Sequence, residues 1–154
     1  MSWVIASIPV HAVVAGDRLT AFEHGAALAR PWFTVRARPA PLVIASDGLP
    51  VSASLYQAAK IAAAAAPLVE AGGELVIAAE CPDGIGPLDT VNEAILRIGV
   101  LPRLPPGARV SLVSSLSRNQ VERTLLNYAG SLPAIDRQTL VIPHASQLIC
   151  EASS

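Results

Sequence analysis

The chain has 154 residues, of which 52% are hydrophobic and 15% are charged, and its formal net charge is −1. A chain this apolar can bury enough surface to fold, so disorder is excluded, and its length fits a single domain. The scattered arginines give no electrostatic footprint for nucleic acid, and no apolar run approaches the roughly 20 residues that span a bilayer.

The few residues that could mark a compartment or a metal site are isolated. Cys81 and Cys150 lack the spacing of a zinc or redox site, so we expect two thiols in a cytoplasmic protein. His11, His24 and His144 follow no metal-ligand spacing, so no metal site is expected within this chain. The low charge implies exposed apolar surface, which predicts a partner domain or a homo-oligomer.

The first half of the chain predicts strands interrupted by two helices. Apolar periodicity, capping residues and turn formers define the boundaries. In chain order, the predicted elements are β segments within Val4 to Ala15, a helix from Leu19 to Arg30 stopped by Pro31, a strand from Trp32 to Ala37, a buried strand from Pro41 to Ser46, and a helix from Leu55 to Ala71. This last helix has Ser54 as its N-cap and Gly72-Gly73 as its end, and Pro67 is predicted to kink or shorten it.

The second half continues the alternation. The predicted elements are a buried strand from Glu74 to Ala79, a helix from Leu88 to Ile98, a strand from Arg109 to Ser114, a helix from Ser117 to Ala129, and a short strand from Gln138 to Ile142. Strands alternating with helices are typical of an α/β fold with a mainly parallel sheet and helices on both faces, a three-layer, Rossmann-like arrangement. In such sheets ligands bind beyond the carboxyl ends of the strands.

The segment from Asp47 to Lys60 is the first candidate site at that edge. Gln57 and Lys60 are three residues apart, so on a helix they share one face within its first two turns. They are candidates to grip one ligand, and Lys60 is also a candidate to bind an anion or to move a proton. The alternative is that Lys60 is an ordinary solvated lysine.

The loop that follows the next strand is the second candidate. It contains two carboxylates, Glu80 and Asp83, the thiol of Cys81, and the glycines Gly84 and Gly86, which allow backbone N–H groups to approach a ligand closely. A plain turn with solvated acids is the alternative. No Walker loop, GxGxxG or GxSxG motif follows a predicted strand, so the common nucleotide-binding and hydrolase signatures are missing.

Together these segments resemble, in order, the C-terminal domain of the nickel-dependent lactate racemase family. The resemblance covers the chain from about Val10 to Ile142, and the combination of its motifs is what makes it specific. The matching segments are Gly16-Asp17, VIASDGLP from Val43 to Pro50, LYQAAK from Leu55 to Lys60, Gly72-Gly73, and AECPDGIG from Ala79 to Gly86.

The resemblance implies a two-domain enzyme with a nickel-pincer nucleotide in the cleft between its domains. Racemisation of a small 2-hydroxy acid would then proceed by reversible hydride transfer to that cofactor. Gln57 and Lys60 would line the cleft as substrate or cofactor contacts, with Asp47, Glu80, Asp83, Gly84 and Gly86 beside them. The cofactor-tethering lysine, the nickel-binding histidine and the acid–base histidines would belong to an N-terminal domain.

Nothing in this sequence corresponds to that N-terminal domain, so we expect no cofactor on this chain alone. Trp3 and Trp32 both precede Gln57, whereas the family has a tryptophan further along its C-terminal domain, which leaves the substrate open. Three hypotheses follow. The chain is half of a racemase-like enzyme that is inactive without an N-terminal half, or it is a stand-alone ligand-binding or oligomerisation domain that has lost catalysis. The third is a small complete enzyme that uses Lys60 with Glu80 or Asp83 as acid and base.

Overall fold

The structure is a computed structural model that describes residues 10–153. The chain divides into two compact units with their boundary between Thr34 and Val35. The first unit contains helix α1, Arg18–Phe33, and the second contains the sheet. The prediction of one domain for the whole chain stays a prediction. Of the predicted β segments within 4–15, residues 4–9 lie outside the described residues and residues 10–15 form no strand.

Helix α1 begins after an N-cap aspartate. The Asp17 carboxylate accepts hydrogen bonds from the N–H groups of Leu19 at 3.0 Å and Thr20 at 3.3 Å, which satisfies two of the free donors of the first turn. The predicted end at Pro31 is wrong, because Pro31 lies inside the helix. No side chain of α1 is buried.

The second unit is built on a five-stranded parallel sheet. Its order is β5-β4-β3-β2-β6, and a separate two-stranded sheet joins β1 to β7. The strands are β1 Thr34–Ala37, β2 Ala40–Ser46, β3 Val69–Ala78, β4 Arg109–Val113, β5 Asn127–Tyr128, β6 Thr139–Ile142 and β7 Ile149–Ala152.

The central strands are apolar on both faces, as a parallel sheet requires. Val43 and Leu75 are fully buried on one face, and Ile44 and Val76, which point to the opposite face, are 4% and 2% exposed. Both faces are therefore covered. The predicted α/β class with a mainly parallel sheet is confirmed, and the arrangement is consistent with a Rossmann-like three-layer fold.

Helix α2, Leu55–Ala65, packs on this sheet through its alanine-rich face and ends six residues before the predicted Ala71. Pro67 lies in a 3₁₀ turn, Ala66–Leu68, that leads directly into β3. Gly72-Gly73 therefore does not end a helix. It lies in β3, where the register with β2 shifts between Ala40 and Leu42, and Gly72 takes a φ of +74° that suits a glycine.

The helical segments of the second half also differ from prediction. The helix predicted from Leu88 to Ile98 is a π-helix over Thr90–Val100, and the N–H of Leu101 donates to the carbonyl of Leu96 five residues earlier. The helix predicted from Ser117 to Ala129 is wrong over most of its length. Only α3, Arg118–Val121, is helical, because the chain then turns back to place β5 on the sheet edge.

Candidate functional site

The carboxyl ends of β2, β3, β4 and β6 lie at one edge of the parallel sheet, and the predicted site residues follow them. Asp47 follows β2, the loop from Glu80 to Gly86 follows β3, and His144 follows β6. Because α2 runs back from this edge, its first two turns also lie there. The topology therefore brings the two predicted candidate segments to the same edge.

Gln57 and Lys60 contact each other on α2. The Nζ of Lys60 donates a hydrogen bond of 2.7 Å to Oε1 of Gln57, so the shared face expected from their spacing is present. Lys60 is exposed and Gln57 is half-buried. Lys60 is the only lysine in the sequence, the other ten cationic residues being arginines. The pair offers a cationic donor next to an amide at an accessible surface.

Two shallow grooves border Lys60. One, of about 300 Å³, lies between α2 and the π-helix and includes Tyr56, Ile95 and Arg103. The other, of about 350 Å³, includes Arg103, Leu148 and Cys150. Lys60 and Arg103 line both grooves, so this surface presents two cationic side chains. Arg103 was not expected from the sequence, because it lies in a 3₁₀ turn, Leu101–Arg103, that follows the π-helix in a segment predicted as a proline-rich connection.

The loop from Glu80 to Gly86 caps α2. The carbonyl oxygens of Gly84 and Ile85 accept hydrogen bonds of 3.0 Å from the N–H groups of Leu55 and Tyr56. The side chain of Ser54, at the N-cap position, makes no capping hydrogen bond. The first two N–H groups of α2 are therefore satisfied by this loop, and those of Gln57 and Ala58 donate to the carbonyl of Ser54, so none of the four is open to an anion.

The side chains of the Glu80 to Gly86 loop differ in their exposure to solvent. Glu80 and Asp83 have exposed side chains, while the carbonyl of Glu80 accepts from the N–H and Oγ of Ser115. In the described part of the chain, no carboxylate lies within 4.0 Å of the Lys60 amine. Cys81 is buried, and burial raises the pKa of its thiol to about 11, which disfavours a nucleophilic role.

Asp47 is held by internal contacts. Its Oδ2 accepts from Oγ of Ser146 at 2.5 Å and from the Ser146 N–H at 3.0 Å, and its Oδ1 accepts from the Gly48 N–H at 2.8 Å. Nδ1 of His144 lies 3.5 Å from the same Oδ1. The carboxylate is 3% exposed, so its placement favours positioning other groups over contacting a ligand directly.

The pKa of Asp47 lies below its ordinary value of 3.8. Burial, the largest influence, raises it, but the contacts from Ser146, Gly48 and His144 together lower it by more. Asp47 is therefore ionised at neutral pH. Neither Ser146 nor His144 was predicted, since a separation of 99 residues between Asp47 and Ser146 leaves no local signal.

Residues 10–153 contain no group of three or more His, Cys, Asp or Glu side chains that could hold a metal ion. Over the same residues, no helix is long and apolar enough to cross a membrane. Both cysteines are buried and unpaired.

The chain is similar to known proteins in sequence over part of its length and in fold over most of it. No family model matches the chain. The lactate racemase of Thermoanaerobacterium thermosaccharolyticum is 44% identical over 54 residues, which make up 34% of this chain and 13% of that protein. The resemblance to lactate racemase is confirmed.

Solved structures extend the likeness to the fold of most of the chain. The lactate racemase apoprotein from Thermoanaerobacterium thermosaccharolyticum superposes with a TM-score of 0.60 and 20% identity, covering 87% of this chain and 40% of its own. A Thermotoga maritima protein solved by a structural genomics consortium gives a TM-score of 0.62 and 16% identity, covering 88% and 42%. The chain thus spans about 40% of the length of these solved structures.

Proposed function

We propose that this chain forms one wall of the active-site cleft of a lactate racemase-like 2-hydroxyacid racemase or epimerase. The observation that carries the proposal is the Gln57–Lys60 pair at the carboxyl edge of the sheet, within the LYQAAK motif. An N-terminal racemase-like domain would form the opposite wall. Without that domain the chain would be inactive.

The chemistry of the pair suits a small 2-hydroxy acid. The carboxylate of such a substrate would accept hydrogen bonds from the Lys60 ammonium, and charge-assisted bonds of this kind are the stronger ones in proteins. Gln57 already accepts from Lys60, which leaves its amide N–H₂ group to donate to the substrate. Arg103 adds positive charge along the bordering grooves.

The two buried free cysteines support a reducing, cytoplasmic location.

This surface would contact the nickel-pincer nucleotide of the complete enzyme, but residues outside this surface would hold most of that cofactor. Lys60 and Gln57 fit an anionic or carbonyl group of a ligand, but the described residues offer no set of nickel ligands. The cofactor, when bound, would supply the hydride acceptor. This chain's own residues would bind and orient the substrate carboxylate and restrict water on one side of the cleft.

The test is a titration of the purified chain with L-lactate, followed by ¹H–¹⁵N NMR. Because Lys60 is the only lysine, its ε-ammonium signal is assigned unambiguously. We expect shifts at Gln57 and Lys60, and binding at least about tenfold weaker in Lys60→Gln, equivalent to about 1.4 kcal/mol. Arg97→Gln is the matched control, since Arg97 is an exposed cation paired with Glu93 at 3.2 Å.

Equal affinity of wild type and Lys60→Gln would refute the assignment of Lys60. Equal weakening in Arg97→Gln would show that only net charge matters. Racemisation of lactate by the purified chain, with no added partner or nickel cofactor, would contradict the claim that it is half of a catalyst.

The second candidate is a stand-alone ligand-binding or oligomerisation domain that has lost catalysis. One observation favours it: in the first unit, α1 buries no side chain and leaves Phe22 72% and Trp32 68% exposed. Exposed apolar surface of this kind marks interaction sites. Light scattering separates the candidates, because a strict monomer at high concentration counts against oligomerisation.

A further inference from the structure

A carboxylate and an imidazole face each other at the carboxyl edge, outside the Gln57–Lys60 pair. Asp47 follows β2 and His144 follows β6, and these two strands are parallel neighbours, with Ala45 opposite Ile142. Their carboxyl ends are therefore adjacent. The two residues are brought together by the order of the strands, and this edge is where ligands bind in open parallel sheets.

The carboxylate of this pair is fixed from several sides. Ser146 donates to Oδ2 through its N–H and its Oγ, and Gly48 donates to Oδ1. The Asp47 side chain is 3% exposed, whereas that of His144 is 66% exposed. The imidazole therefore has one edge against a buried anion and another edge toward solvent.

The backbone at His144 supports a fixed orientation. His144 has φ +55° and ψ +39°, the left-handed region that residues other than glycine seldom occupy. The next residue, Ala145, is fully buried in the core, and Ser146 is tied to Asp47. The turn that carries His144 is thus held on its C-terminal side by packing and by hydrogen bonds.

We propose that Asp47 holds the imidazole of His144 with its proton on Nδ1, leaving Nε2 as a hydrogen-bond acceptor for a ligand hydroxyl at this edge. An ionised carboxylate can only accept, so the ring nitrogen that faces it carries hydrogen. The other nitrogen then has a free lone pair. The Nδ1–Oδ1 separation of 3.5 Å is longer than an ordinary hydrogen bond, and functional hydrogen bonds in unliganded proteins are often long.

The contact at this pair is a hydrogen bond. The ligand hydroxyl donates to Nε2 and keeps its proton, and the proton transfers of the reaction stay with the acid–base histidines that the resemblance assigns to an N-terminal domain. His144 is the residue that touches the ligand, and Asp47 is a positioning residue. The choice of a hydroxy acid as the ligand rests on the proposed function, whereas the Nδ1–H tautomer of His144 rests on its contact with Asp47 alone.

The experiment reads the tautomer directly. Long-range ¹H–¹⁵N correlation spectra of the full chain distinguish Nδ1–H from Nε2–H imidazoles. We expect His144 to be mainly Nδ1–H, and exposed His24 of α1 to serve as an internal reference with the Nε2–H form of a solvated imidazole. An Nε2–H form at His144 would overturn the proposal.

Two variants separate orientation from loop stability. In Asp47→Asn the amide oxygen keeps the two Ser146 donors only when its N–H₂ group lies toward His144 and the Gly48 N–H, so the Gly48 hydrogen bond is lost and the His144 tautomer should switch to Nε2–H. Ser146→Ala removes one hydrogen bond to Asp47 without touching the imidazole, so the Nδ1–H form should persist. An unchanged tautomer in Asp47→Asn would contradict the role of Asp47.

The ligand arm uses L-lactate, with propionate as the analogue that lacks the hydroxyl. We expect lactate, but not propionate, to shift the Nε2 signal of His144. If lactate shifts Gln57 and Lys60 but not Nε2, the proposal for His144 fails while the proposed function stands. If lactate shifts neither site, the proposed function fails and so does Nε2 as acceptor for the ligand hydroxyl, and an Nδ1–H form of His144 then supports only the orienting role of Asp47.

Discussion

Gly86→Ala tests whether the loop that caps α2 packs against it as closely as the structure indicates. Gly86 has a φ of +87°, and a Cβ added there would lie 2.9 Å from the Cβ of Tyr56. Real Cβ atoms essentially never approach this closely. Because Tyr56 is in the first turn of α2, the loop or the helix start must move.

The size of the effect follows by comparison with Gly84→Ala. Gly84 has a φ of +86° but open space around its Cβ position, so the substitution carries only the left-handed backbone penalty of about 1–2 kcal/mol. Gly86→Ala adds overpacking, which costs about 1–3 kcal/mol. We therefore expect a loss of about 2–5 kcal/mol, a large part of the 5–15 kcal/mol that stabilises a typical domain.

Urea unfolding at 25 °C, followed by circular dichroism, measures both variants against wild type. The midpoint should fall further for Gly86→Ala than for Gly84→Ala, with an unchanged slope in urea. Equal losses in the two variants would refute the steric argument. No loss in either would show that the loop does not hold the positive-φ conformations.

Two further predictions concern titratable groups. Burial raises the pKa of Cys81 from 9.0 to about 11, so its thiolate fraction at neutral pH is about 100-fold below that of a free thiol. Iodoacetamide should therefore modify Cys81 at least about 100-fold more slowly in the native chain than in urea. Peptide mass spectrometry would measure both rates. Comparable rates in both states would contradict this. The folded-state pKa of Asp47 is depressed below 3.8, so its contribution to stability is complete above that pH and is lost as pH falls through the folded pKa. Acid unfolding of Asp47→Asn should lack that part of the pH dependence, and a profile parallel to wild type below pH 3.8 would refute it.

The sequence determined the class of fold and the local pairing of one candidate site. Apolar runs from Pro41 to Ser46 and from Glu74 to Ala79 are buried strands, as predicted, because a strand covered on both faces needs apolar residues throughout. Gln57 and Lys60 share a face because helical periodicity is a local property. Both conclusions required no knowledge of distant residues.

Only the tertiary structure decided where several elements end. Gly72-Gly73 is a sound helix terminator in isolation, but the register between β2 and β3 places it in a strand irregularity. Most of the segment from Ser117 to Ala129 has helical features, yet Asn127–Tyr128 pairs with β4 at the sheet edge. In both cases a contact with a distant strand outweighed the local preference.

The same reason explains why the surroundings of the site were not predicted. The sequence placed Asp47 at the carboxyl edge but could not show that Ser146 and His144 would meet its carboxylate. Arg103 reaches the grooves beside Lys60 only through the path of the π-helix. Periodicity determines which face a side chain occupies, whereas the order of strands in the sheet determines which distant side chains it meets.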